Sequence, residues 1–149
     1  MKVENRNYYR DYEEIESYEA GISLTGAEVK CIKMGRIRLD EAFVRFLSDG
    51  PHLINADIPA YSFANDKGYN SKRSRKLLLH KKEILRLQTK MKVGGRLTVA
   101  PISTYIKGRF IKVQIALSKG RKDVEKKKYD KAKDIAINQK REAKEHMKT

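Results

Sequence analysis

The sequence predicts a mainly β fold: a small barrel of about six antiparallel strands, with two or three short helices and a basic C-terminal tail. Three observations lead there. Short apolar runs alternate with a period of two, clusters of Gly, Asn and Asp separate them, and only two stretches before residue 119 carry helical spacing. With 149 residues and 40% hydrophobic content, the chain has the material for one ordinary core.

The first strand reads as Tyr12 to Leu24, where Tyr18, Ala20, Ile22 and Leu24 alternate with Glu19, Gly21 and Ser23. Thr25-Gly26-Ala27-Glu28 matches a capping box, so a helix follows from about Gly26 to Met34 and stops at Gly35. In the next strand Ala42, Val44 and Phe46 share one face. In the strand after it His52, Ile54, Ala56 and Ile58 do so, with Asp49-Gly50 as the hairpin between them. The polar stretch from Tyr61 to Arg73 reads as a long mobile loop.

Arg75 to Leu79 is a short strand, and Ile84, Leu87, Gln88 and Met91 give a helix over about Lys81–Lys92, ended by Gly94-Gly95. The last hairpin runs Leu97–Ala100, Ile102–Ile106, a turn at Lys107-Gly108-Arg109, and Phe110–Leu117. Its Ile111, Val113, Ile115 and Leu117 point inward, and Phe110, Lys112 and Gln114 outward. Such a barrel is oligonucleotide-binding-fold-like. From Lys119 apolar residues thin out. Residues 119–149 therefore read as a flexible tail, disordered alone and ordered on binding, and residues 1–118 as the folded domain.

The net charge is +15, and it is placed unevenly. Residues 1–70 carry nine Lys/Arg against twelve Asp/Glu, a net of −3. Residues 71–118 carry thirteen against one, a net of +12, and residues 119–149 twelve against six, a net of +6. A middle block with almost no acids is not a salt-bridged surface. It is built to meet a polyanion. Lys72, Arg73, Arg75, Lys76, His80, Lys81 and Lys82 fall within a dozen residues, and Tyr105, Lys107, Phe110 and Lys112 mix rings with cations. Phosphates attract the cations, and unstacked bases stack on the rings.

Catalysis finds little support. His52, His80 and His146 show no pairing by spacing, and Asp11, Glu13, Glu14 and Glu16 read as solvated acids along a strand. There is no phosphate-binding glycine loop and no Cys/His metal spacing, so no catalytic residue, metal or cofactor is expected. The alternatives left open are a metal-dependent nuclease and a general single-stranded RNA binder on the same fold. Cys31 is the only cysteine, which suits a reducing compartment. Met1–Arg6 does not read as a signal peptide, and no apolar run approaches a membrane span. A cytoplasmic monomer with no membrane partner is expected.

Several segments resemble the tmRNA-binding (SsrA-binding) small protein B family of bacteria. They are Asn5-Arg6 with Arg10-Asp11-Tyr12, Tyr18-Glu19-Ala20-Gly21-Ile22-Ser23-Leu24-Thr25-Gly26-Ala27-Glu28-Val29-Lys30, Gly35-Arg36, Arg73-Ser74-Arg75-Lys76-Leu77-Leu78-Leu79-His80-Lys81, and Tyr105 with Lys107-Gly108-Arg109. The resemblance runs in order over residues 5 to about 122. It implies a barrel that grips the tRNA-like domain of tmRNA (SsrA RNA) and enters stalled ribosomes with it for trans-translation. The tail then probes the empty mRNA path, becomes helical and meets small-subunit ribosomal RNA. It also implies that the family has no catalytic residue of its own.

Asn5, Glu19 and Leu78 match family positions tied to tmRNA binding. Arg6, Lys30, Arg73, Arg75, Lys76, His80, Lys81, Tyr105, Lys107, Arg109 and Lys112 complete the expected tmRNA surface. Gly120 matches the glycine joining barrel and tail, and Arg121, Lys122, Lys126, Lys127, Lys128, Tyr129 and Lys131 are the expected ribosome contacts. Here the chain departs from the family pattern. Where relatives carry a ring followed by Asp-Lys-Arg, an ungapped alignment gives Val124-Glu125-Lys126-Lys127. Tyr129-Asp130-Lys131 offers the ring in another register.

Overall fold

Alternation carries the second strand of the molecule, β2 (Tyr12–Ile22), which is long enough to serve both as barrel stave and as spine of an outer wall. The computed structural model describes residues 2–63 and 67–148. Before β2 stand two elements that the sequence pattern did not predict, β1 (Lys2–Glu4) and the single-turn helix α1 (Tyr8–Asp11). Three residues are too few to display a period of two, and one helical turn too short to display 3.6.

After β2, α2 (Gly26–Lys33) begins at the expected capping box. Thr25 Oγ1 accepts from the Glu28 amide at 3.2 Å, and Glu28 Oε1 accepts from the Thr25 amide at 2.9 Å. Gly35 follows with φ of 76°, a left-handed conformation that favours glycine. Then come β3 (Phe43–Leu47), β4 (Gly50–Ile54), β5 (Arg75–Leu78), α3 (Lys81–Val93), β6 (Leu97–Lys107), β7 (Phe110–Gly120) and α4 (Asp123–Lys148).

All described pairings between strands are antiparallel. The order is β1-β6-β3-β4-β5-β2-β7, and β7 pairs back onto β6, so six strands close a ring and β1 joins β6 from outside. Inside the ring lie Ala20, Leu53, Leu77, Val99, Val113, Ile115 and Leu117, all at most 1% exposed. A second, smaller core lies outside it. Tyr8 of α1 packs with Ala100, Ile102 and Ala116, and its hydroxyl meets Ser118 Oγ.

The register corrects three expectations. In β4 the inward residues are Pro51 and Leu53, not His52 and Ile54. Asn55, at φ of 62°, then shifts the phase, which is why Ala56 and Ile58 are buried as expected although His52 and Ile54 are not. Leu97–Lys107 is one strand rather than two, because the irregularity between Pro101 and Ser103 absorbs the proline. Finally, β7 continues past residue 118: Lys119 pairs with Glu13 and Leu97, and Gly120 with Tyr12.

Candidate nucleic-acid interface

The hairpin of β6 and β7, flanked by β2 and β1, presents a continuous outer wall. Reading straight across the register, Leu78 of β5 lies opposite Gly21 of β2, Gly21 opposite Lys112 of β7, Lys112 opposite Tyr105 of β6, and Tyr105 opposite Lys2 of β1. Their sequence neighbours Leu77, Ala20, Val113 and Thr104 are buried, so this row faces outward. Five strands make a row about 19 Å wide. The next row holds Glu19, Gln114, Ser103 and Glu4.

Within this wall Glu19 is clamped. The Tyr105 hydroxyl donates to one carboxylate oxygen, and Lys107 Nζ lies 3.2 Å from the other. Those two donors, Tyr105 first, hold the carboxyl below its usual range. Burial and the same bond push the Tyr105 hydroxyl up to about 12. The carboxylate is therefore ionised and the phenol protonated at any working pH. An anion so held presents lone pairs to base amino groups or ribose hydroxyls. It borders a shallow depression also lined by Lys2, Ser17, Tyr105 and Gln114. At the hairpin tip Lys107, Gly108 and Arg109 are exposed. Phe110 is 68% exposed with Lys112 Nζ 5.7 Å from its ring centre, a cation-and-ring pair open to solvent rather than packed under a helix.

The other expected residues fall in several places. Lys76 is exposed beside Leu78 on the outer face of β5, and His80 and Lys81 follow at the start of α3. Arg6 is exposed in a different depression, which it lines with Lys2, Glu4 and Gly35. Lys30 lies on α2 instead, with Nζ 5.3 Å from the Tyr61 ring centre.

Asn5 is 7% exposed. Its amide donates to Ile102 O at 2.8 Å and its Nδ2 to Pro101 O at 3.0 Å, which pins β1 to β6. Arg75 is a correction: it is fully buried. Its guanidinium donates to Glu28 at 2.8 Å, Ala56 O at 2.7 Å, and Tyr69 Oη and Ser71 O at 2.9 Å, and at 0% exposure none of it reaches the surface where RNA would bind. Its odd register in β5 turns it inward with Leu77. Arg73 is tied to the same carboxylate, Nε to Glu28 Oε2 at 3.0 Å. Spacing revealed the cations but not which of them the buried Glu28 would claim. Lys2 and Gln114 were missed because only cross-strand register brings them to the depression beside Glu19, whereas Ser17 shares its face of β2 by the period of two.

Gly120 ends β7, and the tail root grips the barrel through α1. Arg10 Nε donates to both Asp130 carboxylate oxygens at 3.0 and 3.1 Å, Lys126 Nζ is 3.8 Å from Asp11, and Arg121 lies over the Tyr129 ring at 5.6 Å. The Tyr129-Asp130-Lys131 segment is thus partly engaged with the barrel. Lys122, Lys127, Lys128 and Lys131 are exposed. The side chain of His146 and loop residues 64–66 lie outside the described residues.

Among the acids, Asp11 faces Lys126 and Arg10, while Glu16 faces Arg86 and Lys90. Among the described residues no three His, Cys, Asp or Glu converge as a metal site.

Comparison with known proteins adds the following. The family model for the SmpB protein matches residues 2–146. The SsrA-binding protein of Carboxydothermus hydrogenoformans is 43% identical over 134 residues, 90% of this chain and 86% of its own. That of Thermosipho africanus is 44% identical over 138 residues, 91% and 89% of the two chains. A chain from the solved structure "tmRNA-SmpB: a journey to the center of the bacterial ribosome" superposes with a TM-score of 0.67 at 39% identity, covering 82% of this chain and 85% of that one.

Proposed function

We propose that this chain, which belongs to the SmpB protein family, binds tmRNA and acts with it on the ribosome in trans-translation. The outer wall of the barrel, centred on the row Leu78, Gly21, Lys112, Tyr105 and Lys2, takes the tRNA-like part of the RNA. The basic helix α4 takes ribosomal RNA along the vacant mRNA path. In this reading the protein has no catalytic step of its own and works in the bacterial cytoplasm. No helix among the described residues is long and apolar enough to cross a membrane.

One observation carries the assignment of the wall. Residues scattered from Lys2 to Lys112 come together on it as a clamped acid, a phenol, an open aromatic ring and several cations. Cations alone would bind any phosphate chain. A fixed acceptor beside a ring is the chemistry of reading a folded RNA with splayed bases.

The test is to recover the full chain from lysate and sequence the RNA that comes with it. tmRNA should dominate and should resist competition by unstructured RNA at physiological salt. Equal competition by unstructured RNA would instead make the chain a general single-strand binder, and cleavage of RNA in the presence of Mg²⁺ would make it a nuclease.

A further inference from the structure

We propose that the free edge of β1 is a docking site for an extended segment of another protein, with the pattern Lys/Arg–apolar–Asp/Glu, which adds to it as an antiparallel strand.

β1 has one strand neighbour, β6. The Asn5 amide donates to Ile102 O at 2.8 Å, in the register that pairs Lys2 with Tyr105 and Glu4 with Ser103. Bonded pairs alternate along an antiparallel ladder, so Val3 also turns its amide and carbonyl toward β6. Those of Lys2 and Glu4 point the other way, about 6.8 Å apart, the repeat of every second residue in an extended chain. Both residues are exposed. Beside this edge lie two adjoining depressions of about 330 and 410 Å³, which share Val3, Glu4, Arg6 and Gly35. The segment around Arg38 forms the far side. Arg38 exchanges backbone bonds with Asp57 at 2.9 and 3.0 Å, so Ile37 turns its own amide and carbonyl away from Asp57. Among the described residues those two groups have no backbone partner. Ile37 and Leu39, 5% and 1% exposed, give the far side an apolar base.

The chemistry of the edge selects a polypeptide. Its outward carbonyls need donors at strand spacing, and its outward amides need acceptors. A peptide backbone supplies both, whereas phosphates supply acceptors only. The surrounding charges are mixed, Lys2, Arg6 and Arg38 against Glu4 and Asp40, and lack the single sign that draws a polyanion. Their order sets the pattern. Lys2 Nζ and Glu4 Oε1 lie 3.6 Å apart, with 56% and 70% of their side chains exposed. Such a pair holds little and exchanges readily for cross-strand partners. A strand antiparallel to β1 then places a cation opposite Glu4, an acid opposite Lys2, and between them a residue opposite Val3. That middle side chain shares the face by which Val3 packs against the main core, and is therefore apolar.

The experiment titrates the isotope-labelled full chain, followed by NMR, with a capped seven-residue peptide centred on Arg-Ile-Asp. The amides of Lys2 and Glu4 should shift and saturate with a Kd below about 1 mM. The reversed peptide, centred on Asp-Ile-Arg, should bind about fivefold more weakly. Glu4→Pro keeps every bond to β6, since the amide it deletes faces the free edge. It should weaken the peptide at least about tenfold by removing that donor and placing a ring in the path of the strand. The Asn5 amide should stay protected from exchange in this variant, and the melting transition should not move. Glu4→Thr keeps the amide and loses only the charge, and should weaken the peptide about threefold. A peptide that shifts neither amide at millimolar concentration would overturn the proposal. So would equal affinity for the reversed peptide, or full affinity for Glu4→Pro. Displacement of the peptide by single-stranded RNA that shifts the same amides would make the edge an RNA contact. Shifts that follow protein concentration alone would make it a contact between copies of this chain, and either result overturns the proposal as well.

Discussion

Glu28 lies within α2, 1% exposed, and serves two structures at once. It completes the capping box with Thr25, and it receives Arg73 and Arg75 from the far side of the polar loop. Burial by itself would raise its pKa. The hydrogen bonds from Arg73, the Thr25 amide and Arg75 outweigh that and hold it at about 2 instead of 4.5. With the folded value depressed, the stabilisation it gives is complete above about pH 4.5 and is lost as pH falls through about 2. Glu28→Gln leaves Arg75 buried without its counter-ion and should cost about 3–5 kcal/mol. Urea melts at neutral pH check that loss, and melts taken down to about pH 2 should show a flatter acid dependence in the variant. Tyr105→Phe tests the wall at the same scale. It removes one donor to Glu19 from a partly exposed pair, so stability should move by less than about 0.5 kcal/mol. tmRNA affinity should fall several-fold, read by filter binding.

At the scale of the element, α4 is a helix of 26 residues with two unlike parts. Residues 123–130 meet the barrel through Lys126 and Asp130, whereas residues 131–145 are exposed without interruption. A helix with no packed face draws little stability from its surroundings. Hydrogen exchange of the free protein should find the amides of the first two turns slower than those beyond residue 131. Arg10→Ala should narrow the difference, since Arg10 holds Asp130 while Lys126 keeps its contact with Asp11. Because both side chains of that pair are more than 40% exposed, its loss should cost only about 0.2–1 kcal/mol and leave the barrel intact.

For the whole molecule, the decisive boundary is where the last strand ends. A deletion from Asp123 leaves all of β7 in place, so fold and tmRNA binding should persist while tagging on the ribosome is lost. A deletion from Lys119 also strips Gly120 from Tyr12 and Lys119 from Leu97. It should lower the melting temperature by several degrees. Calorimetry on the two truncations separates these outcomes.

Local pattern settled much of this molecule. The capping box at Thr25, the period of two in Tyr18–Ile22, and the inward set Ile111, Val113, Ile115 and Leu117 each depend on contacts within a few residues, and each stands where the sequence put it. Uneven charge likewise pointed to a polyanionic partner from composition alone, with no distinction between RNA and DNA. Three things needed the closed barrel: the phase of β4 around Asn55, the burial of Arg75 in a run of exposed cations, and the meeting of Lys2, Glu19, Tyr105 and Gln114. Such features depend on which strands lie side by side and in what register. Neighbours in a sheet are chosen by the packing of the whole core, and nothing in the spacing of residues along one strand records that choice.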